Sequence, residues 1–284
     1  MKILILTTDT GATHTGTSVS SSTGLLLDSL KKNHEVTLAL FSQLSLTIAK
    51  DSIHIAYKST DIKLFDFIIF RSTDDTEFNM EWLAQIVGDY CLANNIKNIN
   101  AQHYASFGNR WNKLQQIEFF TRNGFLVPHT KFGYIENSHF PLIAKPLIGS
   151  QGKGIHMVAS KKELVPHLGT IYQEVLPNRQ DYRVLVLGEK ILGVMLRKAN
   201  TNSVVSNISA GGIGEKSVID PQLQEISLRL ARLSRLDFCG IDLMKNKDDE
   251  YAVLEVNRNP GFLGFQKVTG IEVTAEIEAH LSAS

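Results

Sequence analysis

Two apolar runs carry groups suited to metal and phosphate chemistry. In AVLEVN, Glu255 and Asn257 lie two residues apart. A strand has a side-chain period of two, so both point to one face. Asp242 interrupts the second run, CGIDLM, and only the polar stretch 245–250 separates the runs, short enough to make them antiparallel neighbours. Asp242, Glu255 and Asn257 would then offer hard oxygen donors to one point, without histidine or cysteine. Such a set suits magnesium or manganese, with the shell completed by water and nucleotide phosphates. The alternative is that the carboxylates are incidental, which desolvation opposes, because carboxylates are rarely buried unless paired or metal-bound.

Upstream, LIAKPLIGSQGKGI places Lys145 at the end of an apolar run, followed by Gly149, Ser150, Gly152 and Gly154. Glycines let backbone N–H groups close around phosphate oxygens, and a lysine adds a positive point charge. No Gly-Lys-Ser/Thr runs into a helix here, so this is not a Walker A loop. A plain hairpin connection is the simpler reading of the glycines taken alone. A cationic group, Arg183 in DYRVLVLG with Arg197 and Lys198 in VMLRKA, sits on strand-like segments. These residues either neutralise phosphate in a cleft or form an edge-strand salt bridge.

The elements needed to position these groups are legible around them. KILIL at 2–6 reads as a buried parallel strand, followed by a Thr/Ser/Gly-rich loop from Thr7 to Gly24. LLLDSLKK reads as a helix, EVTLALF and FDFIIF as strands, and together they predict an open α/β domain. Ligands of such sheets sit beyond the carboxyl ends of the strands, so the loop after Leu6 and the segment from Arg71 to Asp74 would face a cleft. NKLQQIEFFTRN at 112–123 is amphipathic with Gly124 as its stop. FPLIAKPLIG, IHMVAS and IYQEVL are short strands with a helical KKELVPHL between them, a small α+β lobe. Two further strands, the long helix PQLQEISLRLARLSRL and the pair of acidic strands complete the chain. The expected division is 1–103, 104–178 and 179–284.

The 284 residues can bury a large core, and 43% hydrophobic against 20% charged residues describes a soluble globular enzyme. Twenty-nine basic residues balance twenty-nine acidic ones, so no global field draws the chain to nucleic acid or to an anionic membrane. Cys91 and Cys239 belong to no metal-type cluster and suit reduced, buried thiols. No run of about 18 apolar residues occurs, and a cytoplasmic protein is expected.

Taken in order, these segments resemble the RimK-type branch of the ATP-grasp superfamily, the carboxylate–amine ligases that include alpha-L-glutamate ligases. The resemblance spans essentially the whole chain. NKLQQIEFFTRNGFLVPHT is similar to the entry into the ATP-binding domain, with Lys113 at the nucleotide-facing lysine. In IYQEVL the resemblance sets Glu174 to accept the adenine amino proton and Val175 to offer backbone contacts, and the DYR triplet sets Asp181 on the ribose. It places Asp242, Glu255 and Asn257 on the metal. The stretch SVVSNISAGG is similar to a glycine-rich return loop with Ser206 and Asn207 at the nucleotide, but Val205 and Ala210 stand where relatives carry arginines. The charge met by those arginines must then be met by Arg183, Arg197 and Lys198, or the acceptor differs.

The resemblance implies an α/β (α+β) ATP-grasp fold with an open α/β N-terminal lobe, a small central lid lobe and a C-terminal antiparallel lobe. It implies ATP and magnesium as cofactors. Lys145 and Arg183 would offset charge as a carboxylate attacks the γ-phosphoryl group, and an uncharged amine would then displace phosphate from the acyl phosphate. The partners would be a carboxylate and an amino acid such as glutamate, on a peptide, a protein tail or a small metabolite, with homo-oligomerisation open. Substrate specificity is expected in the N-terminal loop, Arg71 and the turn carrying Arg258, Asn259 and Gly261. The alternative is a nucleotide-binding regulatory module without turnover.

Overall fold

A computed structural model describes residues 1–8, 21–71, 81–108, 110–135, 138–149, 152–178, 180–198 and 213–283. The chain opens with β1 (Lys2–Thr7), α1 (Ser22–Leu30) and β2 (Glu35–Leu40), then a small antiparallel sheet of β3 (Leu44–Ala49), β4 (Ser52–Tyr57) and β5 (Thr60–Asp61). β6 (Phe67–Phe70), α2 (Glu81–Ala93), β7 (Lys97–Ile99) and α3 (Ala101–Phe107) complete this part. β2, β1, β6 and β7 form a parallel sheet in that order. Both its faces are covered, which is why KILIL is apolar throughout rather than alternating. Ile3 and Ile5 enter one core, and Leu4 and Leu6 the opposite one with Phe70 and Tyr104.

α4 (Lys113–Arg122) starts at Asn112, whose side chain accepts from Gln115 N while Gln115 returns a bond to Asn112 N. The central sheet consists of β8 (Thr130–Phe132), β9 (Leu142–Pro146), β10 (His156–Val158) and β11 (Thr170–Glu174), ordered β10-β9-β11-β8. The helix expected over KKELVPHL is absent. Only one turn forms, closed by Glu163 on Ala159 N and Ser160 Oγ. Pro166 leaves too few residues ahead of it to offset helix nucleation.

The C-terminal sheet, ordered β14-β13-β12-β15-β16, contains β12 (Gln180–Leu187), β13 (Lys190–Lys198), β14 (Ile213–Ser217), β15 (Phe238–Lys245) and β16 (Tyr251–Asn257). Its helices are α5 (Pro221–Leu233), α6 (Leu263–Thr269) and α7 (Val273–Ala283). One face, with Val184, Val194, Ile241, Leu243 and Val256, packs in a core shared with α4 and α5. The other face, through Leu185, Phe238 and Met195, joins the N-terminal sheet, α6 and α7 in a second core. The expected boundary at 103/104 thus cuts α3, and α4 packs on the C-terminal sheet rather than belonging to the lid.

Candidate active site

Register in the C-terminal sheet aligns the charged residues. Arg183 on β12 lies opposite Asp242 on β15, Asp242 opposite Glu255 on β16, and Asp181 on β12 opposite Arg197 on β13. Directly paired residues share a face, so these side chains form a row of charges, with Asp242 between Arg183 and a second carboxylate, where that face leaves the apolar core. Asn257 follows on the same face, opposite Gly240. Lys198 alternates to the other face, where it pairs with Glu215 at 2.8 Å. It therefore does not join the phosphate-side cations expected from sequence.

Arg183 grips Asp242 with two bonds, Nε on Oδ1 and Nη2 on Oδ2, the second at 2.6 Å. Arg197 Nε donates to Asp181 Oδ1 at 2.5 Å, and its Nη2 lies 3.1 Å from Asp242 Oδ2. Burial by itself would raise the Asp242 carboxyl, but Arg183 and Arg197 outweigh it and hold the group below the usual carboxylate range. Its contribution to stability is therefore complete above the ordinary aspartate pKa and is lost as pH falls through the lower folded-state value.

Glu255 stands apart from these pairs. It is half-buried, and among the described residues no donor hydrogen-bonds its carboxylate. Lys145, on β9 of the central sheet, lies within electrostatic reach of it. Burial pulls the Lys145 ammonium below its ordinary value, Glu255 opposes that pull, and Lys113 adds to it. Lys113, the first residue of α4, donates from Nζ to Gly149 O at 2.7 Å, which docks the helix on the glycine loop. Within the loop Gly149, Gly152 and Gly154 have φ of 139°, 74° and 75°, and a Cβ on Gly154 would lie 2.8 Å from Pro146 Cγ. Only glycine fits that conformation without strain. Ser150, Ser206 and Asn207 lie outside the described residues, as do Val205, Ala210 and most of the N-terminal loop.

The donor set fits a hard divalent cation. Asp242 and Glu255 are direct cross-strand neighbours, and Asn257 turns its amide nitrogen to Asp242 Oδ2 at 3.4 Å, leaving its oxygen to a cation.

The substrate-side arginines lie deeper than expected. Arg71 is buried, donates from Nη2 to Pro260 O at 3.2 Å, and lies 5.6 Å from the Phe262 ring centroid. Arg258, also buried, pairs with Glu81 and lies over the Tyr104 ring. Both hold the N-terminal part against the turn after β16. Asn259 Nδ2 donates to Tyr104 Oη at 2.8 Å, while its Oδ1 has no partner among the described residues. Gly261 packs beside Ser22.

Two residues escaped the sequence reading. Asn100, fully buried and left-handed at φ 74°, acts as an extra strand rung. Its Oδ1 accepts from Phe238 N, and its Nδ2 donates to Phe238 O and Arg258 O, each at 2.9 Å. It thereby ties the start of β15 to the end of β16 and sets the metal-side strands against the N-terminal part. Asn100→Asp turns the donor into an oxygen facing two carbonyls, and each orphaned carbonyl costs about 1–3 kcal/mol. Urea unfolding should show that loss, and a midpoint equal to wild type would contradict the rung.

The second is Gln173, buried on the β11 face that carries Ile171 opposite Lys145. Thr130 Oγ1 donates to Pro128 O at 2.8 Å, so toward Gln173 it can only accept, and the 2.9 Å contact must come from Nε2. Gln173 Oε1 is then left as a buried acceptor without a partner. Glu174 alternates to the opposite face and accepts from His129 N at 2.7 Å. Val175 is exposed at the strand's end. A lone glutamine in an apolar strand gave no sequence signal beyond its place in IYQEVL.

A central sheet and a C-terminal sheet that bring a lysine, a glycine loop and a carboxylate pair together define an ATP-grasp fold. The solved structure of ATP-grasp ligase PsnB complexed with a phosphomimetic variant of minimal precursor, Mg and ADP is similar, with a TM-score of 0.71 at 15% identity, covering 99% of this chain and 97% of that one. Macrocyclase MdnC bound with precursor peptide MdnA, from Microcystis aeruginosa MRC, gives 0.66 at 13% identity over the full length of both chains, 100% each. The chain belongs to the RimK-like ATP-grasp family, whose domain model matches residues 125–281. A probable alpha-L-glutamate ligase of Coxiella burnetii (strain Dugway 5J108-111) is 28% identical over 301 residues, covering 98% of this chain and 94% of its own. No helix of the described residues is long and apolar enough to cross a membrane.

Proposed function

We propose that this chain is an ATP-dependent carboxylate–amine ligase that forms an amide through an acyl phosphate, adding an amino acid such as glutamate to a carboxylate. The observation that carries this reading is the Glu255 carboxylate, which among the described residues has no hydrogen-bond donor, stands beside Asp242 and lies within electrostatic reach of Lys145. Asp242, Glu255 and Asn257 would hold magnesium, which when bound supplies charge to the nucleotide phosphates. Lys145 neutralises the γ-phosphoryl oxygens during transfer, and Arg183 and Arg197 fix Asp242 so that the lone pair left on Oδ1 keeps one direction. Asp181, oriented by Arg197, stands on the ribose side in this reading. The row supplies position and charge, most of what phosphoryl transfer asks of a protein. Among carboxylates, a peptide or protein tail is supported by the likeness to PsnB and MdnC, each solved in complex with a precursor peptide, PsnA2 and MdnA. Release of ADP dependent on both a carboxylate and an amine tests the reading, and ADP release indifferent to both contradicts it.

Gln173, rather than Glu174, supplies the acceptor for the adenine amino group in this reading. Guanine presents an oxygen there and would meet an acceptor. Thr130→Val removes the group that locks the amide, which can then flip and donate. The ATP-to-GTP preference in kcat/KM should fall about tenfold, the worth of one hydrogen bond of about 1.4 kcal/mol. An unchanged preference would separate Gln173 from base reading.

A further inference from the structure

The small antiparallel sheet beside the N-terminal core ends in an open edge. β3 pairs with β4 alone, and among the described residues the one backbone bond from residues 44–49 to backbone outside that ladder is at its start, where Leu44 N donates to Phe41 O. Its sequence, LSLTIA, contains no charge and no proline, and its ladder with β4 has no bulge. Natural proteins guard exposed edges with such devices, because free N–H and C=O groups template further pairing. One face of the ladder is apolar, with Leu44, Leu46 and Ile48 opposite Tyr57, Ile55 and Ile53. At its base Ile55 is fully buried and Leu44 and Leu46 pack against the core. At its tip the cross-strand pair Ile48 and Ile53 is 68% and 48% exposed. An apolar surface continuous with the core thus emerges beside an unguarded edge.

We infer that β3 is a dimer interface, pairing antiparallel with β3 of a second copy about a two-fold axis through Leu46. The register follows from parity. An axis normal to the sheet preserves faces, so each residue must pair with one of its own face, and the axis must pass through a residue. Through Leu46, that residue meets the partner subunit's Leu46, Leu44 meets the partner's Ile48, and Ser45 meets the partner's Thr47. Leu-Ser-Leu-Thr-Ile reads as the same alternation of apolar and hydroxyl side chains from either end. That self-complementarity points to a second copy rather than to an unrelated strand. Two three-stranded sheets become one of six strands, and the exposed Ile48 gains an apolar neighbour. Among the described residues the hairpin packs on the N-terminal core, away from the charged row, so a change at its tip should leave that row unaltered.

Sedimentation equilibrium of the full chain over a wide concentration range should show a monomer–dimer equilibrium, which Ile48→Lys shifts to monomer by at least about tenfold in Kd. The substituted side chain is exposed, so the melting temperature of the monomer should not fall. Leu46→Cys should cross-link to its own copy under mild oxidation, since the axis places the two side chains together, while Cys91 and Cys239 are buried and unreactive. A wild-type chain monomeric at every concentration, a dimer that survives Ile48→Lys, or an edge that takes up an added peptide strand in place of a second copy would each overturn the inference.

Discussion

Glu255→Gln should lower the rate of ADP formation by about 10²–10³-fold while leaving unfolding by urea near wild type, the size expected when one preorganised charge is removed from phosphoryl transfer. The contrast with Asp242→Asn is what makes this informative. Glu255 has no hydrogen-bond donor among the described residues, so the neutral isostere breaks no bond within the chain. Asp242 is held by both Arg183 and Arg197, and neutralising it leaves two guanidinium groups facing an amide. Removing one partner of a buried ion pair costs about 3–5 kcal/mol. Asp242→Asn should therefore lose activity and stability together, whereas Glu255→Gln loses activity alone. Rates within about twofold of wild type for Glu255→Gln, well inside the loss expected for a charge on the metal, would remove it from the metal set.

Lys145→Met should remove activity to a similar extent, about 10²–10³-fold, and yet leave the melting temperature equal to or above that of the wild type. Burial disfavours the Lys145 charge in the folded chain more than Glu255, Asp181 and Asp242 favour it, which is why its pKa lies below the ordinary lysine value. A group whose charged form is disfavoured by folding destabilises the fold at neutral pH, so a neutral side chain of similar volume relieves that cost. In the proposed function the ammonium serves the nucleotide phosphates, whose arrival would supply the missing counter-charge. Calorimetry together with the ADP assay tests both halves, and a lower melting temperature with retained turnover would refute this role.

Much of this site was legible because strands impose a period of two. Glu255 and Asn257 share a face for that reason alone, and the short segment 245–250 forced β15 and β16 to be neighbours, which placed Asp242 opposite Glu255. The same rule applied to VMLRKA puts Arg197 and Lys198 on opposite faces, so one joins the row and the other leaves it. Arg71 and Arg258 followed strand ends, as ligand-binding residues of open sheets do. Their burial depends on Phe262, Glu81 and Tyr104, partners far away in the sequence that local patterns do not reveal. Asn100 and Gln173 were hidden for a related reason, since each matters through the orientation of one amide set by distant backbone or hydroxyl groups. The KKELVPHL segment shows the limit of periodicity where a proline leaves less than two turns to propagate.

The central claim, transfer of phosphate to a carboxylate, is tested most directly by trapping. The purified chain is supplied with magnesium ATP, hydroxylamine and a peptide and metabolite carboxylate pool, and the products are read by mass spectrometry. An acyl phosphate gives a hydroxamate of one carboxylate in step with ADP and phosphate, and Glu255→Gln and Lys145→Met should give little of either. Formation of AMP and pyrophosphate with the hydroxamate, or of ADP with no hydroxamate from any carboxylate, would contradict it.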